Sequence, residues 1–141
     1  MHVGRICSKE TIAVGPDDPI SLVAQHMREN HVGAVVVHEN GRPIGIVTDR
    51  DITLRGGGLR EVLADIKVHE IMSRNVITAA PTDDVLDVLE RMREHGVRRI
   101  PVLNEAGLLA GMVTLDDIVL HVARSMRHVA EVVMSELSHE V

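Results

Sequence analysis

The apolar and polar positions of this 141-residue chain follow the same order of periods twice. Each half has a helical period, then two short apolar runs on either side of a turn, then a second helical start. The helical period is carried by Ile20, Val23, Ala24 and Met27 in the first half and by Val85, Val88, Leu89 and Met92 in the second. The apolar runs cover residues 35–37 and 45–48, and later 100–102 and 111–114. Each half therefore predicts the unit strand, helix, strand, strand, helix.

A turn that contains proline and aspartate precedes each predicted helix, at residues 16–19 and 81–84. Carboxylates at such positions accept the free backbone N–H groups of a helix start. We therefore expect acidic N-caps on both helices.

A shift of 65 positions superimposes the two halves as an internal repeat. It places Val3, Ile6, Ser8 and Ile12 on Val68, Ile71, Ser73 and Ile77, and the match continues to His121 with one inserted residue near Ala106. We assign residues 1–58 to the first repeat, 59–67 to a linker, 68–123 to the second repeat and 124–141 to a C-terminal helical extension. A unit of roughly 55 residues buries little core alone. The two repeats are expected to pack about a pseudo-twofold axis as one α/β (α+β) fold.

The amino-acid composition limits the classes of function that the chain can have. The chain is 45% hydrophobic and 26% charged, as in a folded globular protein. A net charge of −6 argues against a nucleic-acid partner, because neutralising phosphates needs an excess of Lys and Arg. No segment has the roughly 20 apolar residues of a membrane span. The single cysteine, Cys7, forms no internal disulfide, which fits a cytoplasmic protein. Phe, Tyr and Trp are absent, so a bound purine would lie between aliphatic side chains.

The sharpest local motif is Gly-x-Val-Thr-x-x-Asp-Ile, which occurs at residues 45–52 and again at 111–118. It lies where a predicted strand becomes a helix. The Thr hydroxyl there is placed to donate to a phosphate at the helix start, and the Asp to accept ribose hydroxyls. Alternatively, each Thr and Asp form only a reciprocal capping box. The motif by itself leaves both interpretations open.

In its order of motifs the chain resembles the CBS-domain family. The resemblance is carried by Val68-His69-Glu70-Ile71-Met72-Ser73, by the Gly-Val-x-x-Ile-Pro run at residues 96–101 and by the closing Thr-x-x-Asp. It implies a disc-shaped module of two β-α-β-β-α repeats with two clefts. In relatives these clefts accept AMP, ADP, ATP, NAD or S-adenosylmethionine, which share an adenosyl group.

The resemblance also implies the residues of the clefts. The second copy offers Thr78, Arg98, Arg99, Ile100, Pro101, Met112, Thr114 and Asp117. The first copy offers Ala13, Val35, Val36, Ile46, Thr48 and Asp51. Three parts of the pattern differ in the first copy, where Ala13 replaces Thr78, Gly33-Ala34 replace the arginine pair and Val36 replaces Pro101. We therefore expect two clefts of unequal affinity.

The adjacent arginines Arg98 and Arg99 have two interpretations. Side chains alternate faces along a strand, so at most one of the pair should point into a given cleft. There it would bind a phosphate. Alternatively, the pair forms a solvated basic edge that discourages strand pairing.

These observations predict a regulatory module rather than an enzyme. Its ligand would be an adenine nucleotide such as AMP or ATP, or a related adenosyl compound, with no obligatory cofactor and an unknown effector protein as partner. The nine histidines lack the spacing of a metal site, and no nucleophile motif or phosphate loop is present, so we assign no metal-binding or catalytic residue. The alternative is a structural or protein-interaction adaptor with vestigial clefts.

The C-terminal segment has its own apolar pattern. Val122, Met126, Val129 and Val133 are spaced by four, three and four residues, as in a packed helix seam. Either the helix folds back on its own module, or it contacts the same helix of a second chain in a homodimer.

Overall fold

The two repeats form a mixed α+β fold, as the sequence predicts. The computed structural model describes residues 1–56 and 65–139; most of the predicted linker lies outside this part. The first repeat contains β1 (Ala13–Val14), α1 (Ile20–Asn30), β2 (Ala34–Glu39), β3 (Arg42–Thr48) and α2 (Asp49–Asp51), which continues as π-helical turns over Ile52–Gly56. The second repeat contains α3 (Val85–His95), β4 (Arg99–Leu103), β5 (Leu109–Thr114) and the long α4 (Leu115–His139). Short 3₁₀ turns, Val3–Arg5 and Val68–Glu70, precede the repeats' strands.

The strand that leads each repeat is shorter than the pattern suggests. In the first repeat, β1 pairs in parallel with β2, and Val36 N–H donates to the Ile12 carbonyl at 3.4 Å. In the second repeat only a single bridge forms, between Ala79 and Val102. Pro101 stands where the first repeat has Val36, and a proline has no N–H to donate. The ladder in the second repeat therefore loses that hydrogen bond.

The acidic caps differ between the two repeats. Asp84 is the N-cap of α3 and accepts the Leu86 N–H at 3.1 Å, as expected. The N-cap of α1 is Pro19, which has no side-chain oxygen. Its neighbour Asp18 instead accepts the Gly15 N–H at 2.8 Å. The prediction of an acidic N-cap was therefore wrong for α1, because this carboxylate closes the preceding turn.

The segment that leads each repeat packs on the core of the other repeat. Val3 and Cys7 are buried among Val88, Ile100 and Val113 of the second repeat. Correspondingly, Val68, Ile71 and Met72 are buried among Val23, Val35 and Val47 of the first repeat. This exchange supplies each small core with apolar groups that its own repeat lacks.

Backbone pairing fixes the exchanged segments in place. Ser8 and Met112 exchange two N–H to carbonyl hydrogen bonds of 2.9 and 3.0 Å, and Ser73 and Ile46 exchange two of 2.9 Å. Gly111 is required beside the first pair, because a Cβ there would overlap the Ser8 carbonyl oxygen. The two halves are therefore intertwined rather than merely adjacent.

Helix α4 leaves the module after its first turn. Its one buried residue is Ile118, whereas the seam residues Val122, Met126, Val129 and Val133 are 51–63% exposed. The interpretation that this helix folds back on its own module was therefore wrong for residues 119–139, since the described chain places nothing over the seam.

Candidate functional site

A half-open pocket of about 150 Å³ lies between the two repeats. The first repeat contributes the segment after its exchanged arm and the start of β2; the second contributes β4, β5 and the start of α4. The lining residues are Ser8, Glu10, Thr11, Ile12, Val32, Ala34, Arg99, Met112, Thr114 and Asp117. The pocket is thus a product of the intertwined packing.

Thr114 and Asp117 stand at the junction of β5 and α4. The Asp117 N–H donates to Thr114 Oγ1 at 3.1 Å, and the Thr114 N–H donates to Asp117 Oδ2 at 2.9 Å. This is the reciprocal capping box. It holds the carboxylate at the pocket wall through one oxygen, so capping and ligand binding are compatible roles for Asp117.

Arg98 directly precedes β4 and Arg99 is the first residue of that strand, and their side chains have different surroundings. Arg98 is 71% exposed and forms an ion pair of 3.6 Å with Asp116. Arg99 is half-buried and lines the pocket. It reaches across to the first repeat, where a Cβ on Gly33 would lie only 3.5 Å from its Nη1 atom. The cation available to a ligand in this pocket is therefore Arg99.

Thr11 is a pocket residue that the sequence analysis did not identify. Its Oγ1 atom is buried and has no hydrogen-bond partner within the described chain. Most buried hydroxyls in folded proteins are paired. No signal in the sequence distinguishes Thr11, because it aligns with Val76 of the second repeat and lies outside the shared motifs.

The pocket is lined by residues of both repeats, whereas the sequence analysis grouped the site residues by repeat. It takes Arg99, Met112, Thr114 and Asp117 from the predicted second-copy set, but its other residues come from the first repeat. Four residues of the second-copy set are absent from its lining, namely Thr78, Arg98, Ile100 and Pro101. The exchanged arms bring the leading segment of one repeat to the closing motif of the other.

The residues predicted from the first copy lie in its sheet and at its own junction. Val35 and Val36 are fully buried in β2, and Ala13 pairs with Val36. Thr48 and Asp51 form a second capping box with distances of 2.9 and 3.1 Å. The neighbouring Ile46 pairs with Ser73 of the second repeat, mirroring the pairing of Met112 with Ser8.

Two features, typical of metal-binding and of membrane-spanning proteins, are absent from the described residues. Within residues 1–56 and 65–139, no three His, Cys, Asp or Glu side chains are grouped to hold a metal ion. In the same part of the chain, no helix is both long and apolar enough to cross a membrane.

Comparison with known proteins identifies both repeats. The sequence profile of the CBS domain matches residues 3–55 and 68–124. Hypoxic response protein 1 of Mycobacterium tuberculosis is 34% identical over 124 residues, covering 86% of this chain and 80% of that protein. Uncharacterized protein MK0525 of Methanopyrus kandleri is 33% identical over 119 residues. That match covers 84% of this chain but 61% of the relative, so the chain spans less than two thirds of MK0525.

Solved structures have the same fold. The CBS domain pair of protein MJ0100, in complex with 5′-methylthioadenosine and S-adenosyl-L-methionine, superimposes with a TM-score of 0.79 at 25% identity. It covers 89% of this chain and 98% of that one. Hypoxic Response Protein I, solved with two coordinated zinc ions, superimposes with a TM-score of 0.79 at 30% identity, covering 86% of this chain and 98% of that one.

Proposed function

This chain belongs to the CBS domain family as a CBS-pair regulatory module, and from that premise we propose that it binds an adenosyl ligand in the pocket between its repeats. The observation that carries the proposal is the convergence of Asp117, Thr114 and Arg99 on one pocket whose other walls are largely aliphatic. A carboxylate, a helix start and a cation are the groups that a ribose and its 5′ substituent require. The two adenosyl compounds bound to the related MJ0100 pair support this choice of ligand.

Each part of the ligand has a proposed contact. Asp117 accepts hydrogen bonds from the ribose hydroxyls through the carboxylate oxygen that is not used in the cap. Thr114, the first turn of α4 and Arg99 bind a 5′ phosphate. The purine lies between the aliphatic groups of Ile12, Val32, Ala34 and Met112, because the chain has no aromatic side chain to stack on it.

The buried hydroxyl of Thr11 supports a polar ligand. An unpaired buried hydroxyl costs free energy in the empty protein, on the order of 1–3 kcal/mol. A purine amino group or ring nitrogen that pairs with Thr11 Oγ1 removes this cost on binding. We propose Thr11 as the residue that reads the polar edge of the base.

A second, weaker cleft is proposed around Thr48 and Asp51. Repeat symmetry assigns Ile46, Thr78, Ile100 and Pro101 to it, and assigns Ala13, Val35 and Val36 to the walls behind the Asp117 pocket.

The proposed signal is a change in the relative placement of the two repeats. A ligand that binds one placement better than another shifts the equilibrium between the two placements. An effector protein that recognises the favoured placement completes the mechanism.

Isothermal titration calorimetry with AMP, ATP, NAD and S-adenosylmethionine tests the proposal. At least one compound should bind, and Asp117→Ala should weaken its affinity tenfold or more. Asp51→Ala is the matched control, because it removes an equivalent capping box outside the described pocket. It should leave the tighter site unchanged. Circular dichroism confirms that both variants fold, and chromatography should recover the ligand chemically unchanged.

The opposite result favours the adaptor interpretation. If none of the four compounds produces heat or raises the melting temperature, the proposed function is wrong. An adaptor with vestigial clefts would instead show a melting temperature that depends only on protein concentration, through loss of a protein partner.

A further inference from the structure

Two residues at equivalent positions of the two repeats line the same pocket. Ala34 and Arg99 are related by the shift of 65 positions that superimposes the repeats. Both belong to the wall of the Asp117 pocket, whereas every other described residue of that wall is present without its equivalent. Exchanging the two repeats exchanges Ala34 with Arg99, so a pocket that contacts both lies beside the axis of the exchange. Arg99 is therefore placed at the centre of the module, between the Asp117 pocket and the second cleft.

The backbone around this centre has the symmetry that the argument requires. The Asp49 N–H donates to the Gly33 carbonyl at 3.0 Å. At the equivalent place in the other repeat, the Leu115 N–H donates to the Arg98 carbonyl at 2.8 Å. The same symmetry therefore brings position 99 to the border of the second cleft as well as to the Asp117 pocket.

The guanidinium of Arg99 approaches the first repeat at this border. A Cβ on Gly33 would lie 3.5 Å from Arg99 Nη1 and 3.4 Å from Asp49 Oδ2, so both atoms surround one point beside Gly33. Asp49 is the first residue of α2 and directly follows Thr48, the N-cap at the second cleft. The side chain that lines the Asp117 pocket thus also lies close to the closing motif of the first repeat.

Neighbouring arginines do not duplicate this position. Arg98 is 71% exposed and is paired with Asp116. Arg50, in the first turn of α2, is exposed and belongs to a separate shallow pocket. Arg99 is half-buried, and none of the ion pairs within residues 1–56 and 65–139 involves it. A partly buried guanidinium without a counter-charge favours an anion as its partner.

From this placement we infer that the two clefts share Arg99 as their phosphate-binding cation. The chain then holds one phosphate-bearing adenosyl ligand tightly, and its other cleft prefers an uncharged nucleoside. The inference rests on the proposed function and adds a coupling between the two sites. A guanidinium that forms bidentate hydrogen bonds with one phosphate has fewer donors for a second, and the two phosphates repel each other across it. The coupling is reciprocal, because each anion lowers the affinity for the other by the same factor.

Isothermal titration calorimetry with AMP and adenosine tests the coupling. The wild-type chain should bind one AMP tightly and a second at least tenfold more weakly. Once the tight site is saturated with AMP, the remaining cleft should bind adenosine at least tenfold more tightly than it binds AMP. A second AMP that binds as tightly as adenosine, or more tightly, overturns the inference.

NMR titration of a variant tests whether Arg99 serves the second cleft. In Asp117→Ala, which weakens the other pocket, the Thr48 amide signal reports binding at the second cleft. Adding Arg99→Gln to this variant should weaken AMP there at least tenfold and leave adenosine unchanged. Arg28→Gln, which removes the same charge from an exposed position of α1, is the control and should change neither affinity. Circular dichroism verifies that each variant folds.

The outcomes separate this inference from the proposed function. If Arg99→Gln leaves the affinity of the second cleft for AMP unchanged, Arg99 serves the Asp117 pocket alone and the shared cation is wrong, although the proposed function stands. If neither AMP nor adenosine binds, the inference is also overturned. The proposed function itself fails only if none of its four compounds binds.

Discussion

At the scale of single residues, the pocket contains a buried polar group that destabilises the ligand-free protein. Thr11 leaves a buried hydroxyl unpaired in the described chain. Stability alone favours a valine at position 11, as the second repeat has at Val76. The hydroxyl of Thr11 is therefore free to pair with a polar group of a ligand.

Thr11→Val is the corresponding prediction. Removal of the unpaired hydroxyl should stabilise the ligand-free protein by roughly 1 kcal/mol, because the desolvation cost disappears at nearly constant volume. The same change should weaken the binding of the proposed adenosyl ligand. Urea unfolding measures the first effect and calorimetry the second. Thr82→Val, at an exposed turn, is the control and should change neither. A loss of stability in Thr11→Val would contradict the unpaired state of its hydroxyl.

At the scale of elements, an ion pair holds α3 to the turn that precedes it. Arg91 Nη1 donates to Asp83 Oδ2 at 2.6 Å and to the Thr78 carbonyl at 3.2 Å. The Ala80 N–H donates to Asp83 at 3.0 Å, and this bond together with the Arg91 guanidinium holds the pKa of Asp83 below its usual range. The helix and its leading segment are thereby fixed as one unit.

The lowered pKa of Asp83 predicts a dependence of stability on pH. Because the folded-state pKa lies below the unfolded one, the ion pair contributes fully above the ordinary carboxylate pKa of about 4 and is lost as pH falls through the folded value. We expect Asp83→Asn to cost roughly 1 kcal/mol at pH 7, allowing for partial exposure, and to flatten the acid limb of the stability curve. Urea unfolding between pH 2 and 7 measures this. Asp87→Asn, on the same helix, is the control for the loss of one carboxylate.

At the scale of the whole molecule, the exchange of leading segments makes the two repeats one folding unit. Each core depends on buried residues from the other half of the sequence, such as Ile71 in the first core and Val3 in the second. The pocket lies directly beside these exchanged arms, since Ser8 belongs to its wall. Relative movement of the repeats must therefore change the pocket.

Because the leading segment of each repeat packs on the other repeat, a mutation in that segment should affect mainly the core of the other repeat. Ile71→Ala should shift the amide NMR signals of Val23, Val35 and Val47 most, although these residues belong to the other repeat. Val3→Ala should affect mainly the second core. Ile71→Ala should also destabilise the chain by about 2–5 kcal/mol, as for a fully buried aliphatic side chain. Shifts confined to the mutated residue's own repeat would refute the exchange.

The sequence by itself determined the order of elements through spacings within a few residues, the repeat through a match at a shift of 65 positions, and the family through the resemblance of its motifs. Strand alternation also predicted that at most one of Arg98 and Arg99 points into a given cleft, and Arg99 is the one that lines the described pocket. Tertiary structure decided that Thr11 and Ala34 share a pocket with Asp117, and that the seam of α4 is exposed. Both outcomes depend on which surfaces of distant segments meet. The repeat has the same period whether its leading arm packs on its own core or on its neighbour's, so only the packed molecule distinguishes the two.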